Sequence, residues 1–179
     1  MRKVIHKLFL AWDFDKEEKW LNEMAAKGLA LTSVSFCRYE FEDCVPGEFK
    51  ICLEFLENDF SGVENEKYIE FLEETGAEHV GTFLRWAYFR KRAAEDNFKL
   101  FSDNTSRIKH LTRIIGVIAF VLGVNLYLGC YNLFLYFYWH NPVNIVGTAN
   151  LLITVFGTFG LMRLFRKRKK LKSEQQIFE

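Results

Sequence analysis

The sequence predicts an α+β fold, a ferredoxin-like βαββαβ sandwich, followed by a two-helix transmembrane hairpin. Three observations predict it. Residues 1 to about 92 alternate between strand-type and helix-type patterns, residues Ile114 to Met162 contain no Asp, Glu, Lys or Arg, and a run of basic residues follows them. Half of the 179 residues are hydrophobic and nineteen are Phe, a composition that excludes a disordered chain.

The first two predicted elements are a strand and a helix. Residues Val4 to Trp12 alternate between apolar and polar side chains well enough to form a strand. Asp15 stands three residues before Glu18, the spacing of a capping box at a helix start. Apolar residues then recur at helical spacing until Gly28, which predicts the end of the helix.

A β-hairpin is predicted next, between strands at Leu29 to Glu42 and Phe49 to Leu56. Pro46-Gly47 lies between them and is typical of a turn. With the turn there, apolar residues of both strands share one face, which favours this register. The apolar positions are Phe49, Ile51, Leu53 and Phe55 on one strand and Phe41, Tyr39 and Cys37 on the other.

A second helix, ending at Gly76, and an aromatic strand at Phe83 to Lys91 complete the domain. The resulting order predicts a ferredoxin-like sandwich with both helices on one face of a four-stranded antiparallel sheet. Another small α+β arrangement of the same elements is the alternative.

The membrane half is predicted from 49 consecutive uncharged residues. Residues 114–139 and 143–165 each exceed the ~20 apolar residues that cross a bilayer, and the short link His140-Asn141-Pro142 requires antiparallel helices. Two buried helices of a soluble protein are the alternative, but such helices normally carry charges on a solvent face. Residues 1–92 are therefore predicted to be a cytosolic domain, 93–113 a linker with a juxtamembrane helix, and 166–179 a basic tail.

The charges predict how the chain lies in the membrane. Residues 1 to 113 carry 17 Lys+Arg against 21 Asp+Glu, whereas residues 163 to 179 carry seven basic and two acidic residues. Basic residues flank both spans and the link has no Lys or Arg, so the positive-inside rule predicts a multi-pass protein of the plasma membrane with both termini in the cytosol. The N-terminal segment is too short in apolar residues for a signal peptide, and four cysteines without a CxxC pair fit a reducing compartment.

Small and amide residues in the spans are candidates for helix packing, because they permit close approach and hydrogen bonding between helices. They are Gly116, Ala119, Gly123, Asn125, Asn132, Gly147, Thr154 and Gly157. A polar pathway or partner face is the alternative for the asparagines. Basic residues after the second span are predicted to contact lipid head groups, and they are Arg163, Arg166, Lys167, Arg168, Lys169 and Lys170.

An aromatic and basic cluster is the candidate site of the soluble half. An open sheet face could use it to bind a ligand or a peptide, with arginines meeting an anionic group; packing within the core is the alternative. Its members are Trp12, Arg38, Arg85, Trp86, Tyr88 and Arg90. The excess of acidic residues argues against nucleic acid as a partner.

Catalytic chemistry is not indicated. The four histidines are scattered without ligand spacing, which predicts no metal site. The pairs Glu17-Glu18 and Glu73-Glu74 lie in amphipathic helices, where a solvated face explains them. No nucleophile, phosphate loop or cofactor motif is present, so we expect a protein that is not an enzyme and holds no cofactor.

Residues 12–28 read WDFDKEEKWLNEMAAKG and resemble a bacterial family called domain of unknown function 2812. The same resemblance is carried by four further runs, which are Tyr39-Glu40-Phe41, Pro46-Gly47-Glu48, Phe71 to Glu78 and Arg85 to Lys91. Together they extend the resemblance over most of residues 7 to 110. The resemblance implies a membrane-associated protein of Gram-positive bacteria, often encoded beside a small transcriptional regulator of the PadR type. It implies no activity and supplies no catalytic residues.

These observations predict a membrane-anchored cytosolic interaction or sensing module with a regulatory role. Its expected partners are the lipid bilayer and either another protein or further copies of itself. The alternative is an accessory subunit of a transporter or other membrane complex, which would bind through the transmembrane hairpin.

Overall fold

The computed structural model describes residues 2–56, 62–93, 104–140 and 142–178. These residues form a mixed α+β unit and a pair of long helices, with the division between the two compact units after Ser102. The α+β class and the C-terminal pair of helices are confirmed, and the order of elements approximately follows the ferredoxin-like one.

The first unit contains six strands and two helices in its described residues. In chain order they are β1 (Lys3–His6), α1 (Phe14–Ala26), β2 (Leu29–Ser35), β3 (Arg38–Asp43), β4 (Phe49–Phe55), α2 (Gly62–Glu74), β5 (Glu78–Phe83) and β6 (Trp86–Arg92). The strands form two antiparallel three-stranded sheets, ordered β1-β3-β2 and β4-β6-β5. Strands β2 and β5 lie next to each other, with Gly81 against Val34.

The predicted hairpin between residues 29–42 and 49–56 is wrong. The first of these segments is itself a hairpin, in which β2 pairs with β3 around a two-residue turn at Phe36 and Cys37. Strand β4 pairs with β6 instead, so that Leu53 faces Tyr88. An apolar alternation fixes which side of a strand is buried, but several partners satisfy it equally well.

The two helices cover opposite faces of the second sheet, which corrects the expectation of one shared face. Tyr88 of β6 reaches Glu17 of α1, whereas its neighbours Ala87 and Phe89 form a buried cluster with Leu72 of α2. Successive side chains of a strand point to opposite faces. Neither face of this sheet is therefore left open.

The bounds of the helices follow local signals only in part. Gly28 and Gly76 follow the two helices with φ of +81° and +85°, a conformation that glycine adopts without strain, so both predicted stops are confirmed. The predicted capping box is wrong, because α1 begins at Phe14 and Asp13 occupies the N-cap position. Glu17 and Glu18 therefore do not cap the helix, and their carboxylates bind groups on the strands instead.

The second unit consists of α3 (Asn104–Trp139) and α4 (Val146–Phe178), joined through a short 3-10 helix at Pro142–Ile145. The pair is antiparallel, because Gly129 approaches Gly147 while Leu122 approaches Gly157 farther along. Both helices are long and apolar enough to cross a membrane. Only 17% of the residues in the apolar window of each helix are buried, unlike the core helices of a soluble protein. This exposure favours association with a membrane.

Candidate functional site

Two aromatic members of the predicted binding cluster, Trp86 and Tyr88, lie in the interior of the α+β unit. Trp86 is buried between Phe14 of α1 and Phe55 of β4, with ring centroids 5.1 and 5.0 Å away. Tyr88 is buried on the same side of β6. Because α1 covers this side, the open aromatic face expected from the sequence is not present. Trp12 lies in the turn before α1 and is half-buried.

A buried carboxylate connects α1 with both sheets. Glu17 is only 7% exposed, and its Oε1 accepts hydrogen bonds from the hydroxyls of Tyr39 on β3 at 2.7 Å and of Tyr88 on β6 at 2.6 Å. Burial raises the pKa of the Glu17 carboxyl, although the two hydrogen bonds act in the opposite direction. The pKa of each tyrosine is also raised, first by burial and then by the adjacent carboxylate. The solvated position expected for Glu17 is therefore wrong, and the residue holds the two sheets under one helix.

The arginines of the predicted cluster also have partners inside the unit. Arg90 donates to both carboxylate oxygens of Glu78, at 2.8 and 2.7 Å, and to the carbonyl of Leu31 on the neighbouring sheet at 3.0 Å. The paired hydrogen bonds to Glu78 raise the pKa of Arg90. A two-point arginine–carboxylate contact of this kind fixes geometry, so Arg90 links the two sheets.

Arg38 and Arg85 lie nearer the surface. Arg38 is the first residue of β3, directly after the turn that follows β2, and Arg85 lies in the turn between β5 and β6. Arg38 forms an ion pair with Glu40. Arg85 donates to the carbonyl of Leu56 at 2.8 Å and lies over the ring of Phe55. The structure therefore separates the predicted cluster into buried framework residues and surface arginines. Binding of a ligand by this set stays a prediction.

The outer edge of β4 is covered by side chains of α1. The amide of Asn22 donates to the carbonyl of Ile51 at 2.8 Å and accepts from its N–H at 3.0 Å. The carboxylate of Glu18 accepts from the N–H of Leu53 at 3.0 Å. These contacts imitate a neighbouring strand, and they protect an edge that would otherwise pair with another chain. The expectation that Glu18 serves only a solvated face is wrong, whereas Glu73 and Glu74 are exposed as expected.

Large apolar side chains project from two adjacent hairpin turns. We define the turn patch as Leu8, Phe36, Phe83 and Leu84. Leu84 is 81% exposed, Phe36 71% and Leu8 64%. The rings of Phe36 and Phe83 lie 5.9 Å apart, and the N–H of Lys7 bonds to the carbonyl of Cys37, which brings the three segments together.

The turn patch has a strained backbone. Cys37 and Leu84 adopt φ of +54° and +55°, a region in which a side chain other than that of glycine costs roughly 1–2 kcal/mol. Glycine, asparagine or aspartate is usual in such turns. The backbone strain at Leu84 lowers the stability of the unit, and its exposed side chain buries too little apolar surface to offset that strain. An outlier of this kind is a reason to look for a contact outside the fold.

Three basic residues belong to the segments that form the turn patch, and one of them, Arg38, is ion-paired with Glu40. The segments 6–9, 34–38 and 82–86 contain Lys7, Arg38 and Arg85 and no Asp or Glu, although residues 1 to 113 as a whole carry more acidic than basic groups. The ammonium of Lys7 lies over the rings of Phe9 and Trp20, at 4.9 and 4.5 Å from their centroids. This patch has no clear signal in the sequence, because apolar residues at strand ends usually belong to the core.

In the helical pair, the predicted packing residues divide into two groups. A side chain added at Gly147 would meet the carbonyl of Gly129 at 2.7 Å and Cβ of Asn132 at 3.0 Å, so these residues form the close crossing of α3 and α4. Gly157 packs against Leu122. Gly129 was missed, although a glycine inside an apolar helix is a signal of close packing.

Other predicted packing residues are uncovered or use their polar groups within their own helix. Nothing in the described residues comes within 4 Å of the positions that side chains on Gly116 and Gly123 would occupy, and Ala119 is exposed as well. Asn125 and Asn132 donate to the carbonyls of Val121 and Leu128 in their own helix. Thr154 bonds likewise to the carbonyl of Asn150.

The basic residues predicted to contact lipid head groups lie on the last turns of α4, beyond its apolar part. Arg168 approaches the hydroxyl of Thr112 at 3.5 Å, which places them beside the polar start of α3. A shallow concave surface is lined there by Arg166, Lys169, Lys170, Ser173 and Glu174. Head-group contact at this end stays a prediction.

Comparison with known proteins identifies the family. A family model described as "Protein of unknown function (DUF2812)" matches residues 13–122, from α1 into the apolar part of α3, and the chain belongs to this family. No curated protein and no solved structure matches the chain at a significant level.

Proposed function

We propose that this chain is a membrane-anchored cytosolic interaction or sensing module with a regulatory role. The helices α3 and α4 would anchor it in the plasma membrane, and the α+β unit would make the regulated contact. The exposed turn patch is the observation that carries this proposal, because it is the feature of the described α+β unit that the fold itself does not explain. No catalytic step is part of the proposed function.

The proposed anchor rests on the apolar surface of α3 and α4. Large side chains such as Phe134, Phe156 and Phe159 are more than half exposed along these helices. In water this surface would drive aggregation, whereas the hydrocarbon core of a bilayer accepts it. Aromatic residues at the connecting end, including Trp139, suit the membrane interface.

The proposed orientation rests on charge. Arg107, Lys109 and Arg113 lie at the start of α3, and the basic run from Arg163 lies near the end of α4. The link between the helices has no Lys or Arg. The positive-inside rule then leaves both ends of the pair in the cytosol. Protease added to intact cells should leave a C-terminal tag undigested, and digestion of the tag would contradict this orientation.

The contact site is tested by photo-crosslinking in living cells, with a photoreactive residue placed at Leu84 of the full-length protein. Val45 is the matched control, because it is 67% exposed in a loop between β3 and β4, outside the turn patch. We expect an adduct from position 84 and none from position 45. Equal labelling from both positions would mean that the turn patch has no specific contact.

An accessory subunit of a membrane complex is the second candidate, and the outer face of α3 favours it. This face combines the uncovered glycines Gly116 and Gly123 with stacked rings of Tyr127 and Tyr131, whose centroids are 6.1 Å apart. Small residues let another helix approach closely. A protein adduct from a photoreactive residue at Tyr127, with neither a protein nor a lipid adduct at Leu84, would favour this candidate over the first.

A further inference from the structure

The conformation of Leu84 is unfavourable for the isolated α+β unit. Its backbone has φ of +55°, where glycine is favoured, and its side chain is 81% exposed. Phe36, on the adjacent turn, is exposed to a similar extent. Phe36 packs against Phe83, but most of its surface and of the Leu84 surface is exposed, so both side chains are available for a contact outside the unit.

The shape of the turn patch indicates what kind of contact this is. Phe36 and Leu84 stand on two-residue turns, between Ser35 and Arg38 and between Phe83 and Trp86. Their side chains therefore protrude rather than line a groove. A protein partner would need a matching pocket, whereas the interface of a bilayer yields to protruding apolar groups.

The charge of the turn patch indicates the composition of that surface. Lys7 and Arg85 belong to the segments that carry the protruding side chains, and these segments contain no acidic residue. Arg38, in the same segments, is ion-paired with Glu40 on β3. Basic groups near an anionic leaflet each contribute attraction over a short distance. An acidic protein surface would satisfy the charges but not the exposed leucine and phenylalanine.

The chain itself keeps such a surface close. Ten residues separate Ala93, at the end of the described unit, from Asn104, where α3 begins. Because the unit is covalently connected to α3 through only ten residues, its contact with the anchoring membrane is an intramolecular event, for which weak intrinsic affinity is sufficient. A reversible contact is what a sensing module requires.

We propose that the turn patch inserts into the head-group region of an anionic bilayer, so that the ligand of the α+β unit is the surface of the membrane that anchors it. This inference rests on the proposed membrane anchoring and names the partner of the same site. Docking and release of the patch would then follow the charge of the leaflet.

The test uses full-length protein in vesicles of phosphatidylcholine alone or of an equal mixture with phosphatidylglycerol. An environment-sensitive fluorophore is attached to Leu84→Cys, or to Val45→Cys as the control, after the native cysteines are replaced. The replacements are Cys37→Asn, Cys44→Ser, Cys52→Ala and Cys130→Ser. A separate protein keeps Cys130, which is exposed on α3, as the labelled reporter of anchoring.

In anionic vesicles only, we expect the emission of the label at position 84 to shift to the blue. Nitroxide-bearing lipids should quench most of that emission. The label at position 45 should report water in both kinds of vesicle. A label at position 84 that reports water in anionic vesicles, while Cys130 reports lipid, would overturn the inference and leave anchoring intact. A water-exposed Cys130 would instead contradict the proposed function.

Two further results decide between lipid and other occupants. Burial of the label at position 84 only after cell extract is added would assign the patch to a protein and overturn the inference, as would equal burial in neutral vesicles. A Leu84→Gly variant separates binding from folding. We expect its urea midpoint to rise, while a label at Phe36→Cys loses its blue shift; a lower midpoint would show that Leu84 serves the fold.

Discussion

Replacing Glu17 with alanine tests whether one carboxylate holds α1 against both sheets. In the structure, a single oxygen of Glu17 accepts the hydroxyl hydrogen bonds of Tyr39 and Tyr88. Alanine would leave two buried hydroxyls without this acceptor, and each such group costs about 1–3 kcal/mol. We therefore expect a loss of about 2–6 kcal/mol in the free energy of unfolding, a large part of the ~5–15 kcal/mol typical of a folded protein.

The assay is urea unfolding of the full-length protein in detergent micelles, followed by tryptophan fluorescence. Trp20 and Trp86 report directly, because they lie on the same side of the sheets as the carboxylate, with Trp20 5.1 Å from the Tyr39 ring. Glu23→Ala is the matched control on the same helix, since Glu23 is exposed and its loss should cost no more than ~0.5 kcal/mol.

A variant with Glu17→Ala, Tyr39→Phe and Tyr88→Phe tests how much of the lost stability comes from the two tyrosine hydroxyls left without an acceptor. Removing both donors together with their acceptor leaves nothing unsatisfied, so most of the lost stability should return. The reasoning is refuted if Glu17→Ala costs no more than Glu23→Ala, or if the two phenylalanines restore nothing.

The same carboxylate predicts a dependence on pH. Burial raises the pKa of Glu17 in the folded protein above its ordinary value of 4.5, so its stabilising contribution is full below that value and is lost as pH rises through the folded pKa. Glu17→Gln keeps the oxygen acceptor and does not titrate. Between about pH 4 and about pH 8, the wild type should therefore lose free energy of unfolding relative to Glu17→Gln. A wild type that gains on the glutamine variant over this range would contradict the assigned direction.

Three more substitutions test other contacts. Asn22→Ala uncovers the edge of β4 and should cost about 1–3 kcal/mol, measured by urea unfolding, with increased aggregation measured by light scattering. Arg90→Lys loses the two-point contact with Glu78 and should lower the free energy of unfolding by about 1–2 kcal/mol, whereas an unchanged urea midpoint would contradict a linking role. Gly129→Leu should separate α3 from α4 and lower the melting temperature in micelles, while Gly123→Leu, at an uncovered position, should leave it unchanged.

The strand partners could not be predicted from the sequence, although most segments were. Residues 29–42 contain no glycine or proline at Phe36-Cys37, so the turn between β2 and β3 has no sequence signal and the pattern predicts one long strand. Pro46-Gly47 did carry a turn signal, but this turn leads from one sheet to the other. Local patterns specify turns and buried faces, whereas the pairing of strands depends on contacts between distant residues.

The candidate site also differs from the predicted one, and for a related reason. Glutamate in an amphipathic helix is usually solvated, and leucine beside a strand is usually buried. Glu17 and Leu84 reverse both rules: the first is buried because two tyrosines satisfy it, and the second is exposed on a turn whose conformation the sequence does not reveal. The two long apolar helices could be predicted from the sequence, because their length and composition do not depend on contacts with distant residues.

Several polar residues of α1, in the segment 12–28 that carries the family resemblance, have a structural role in the fold. Glu17 joins the two sheets, while Glu18 and Asn22 cover the edge of β4. These polar groups act inside the unit, and the predicted aromatic cluster is likewise part of its framework. Among the described residues, the turn patch and the outer face of the helical pair are two apolar surfaces that the fold leaves uncovered, and they are the candidates for contacts outside it. Exposed apolar surface of this extent is typical of regions that contact a partner or a membrane.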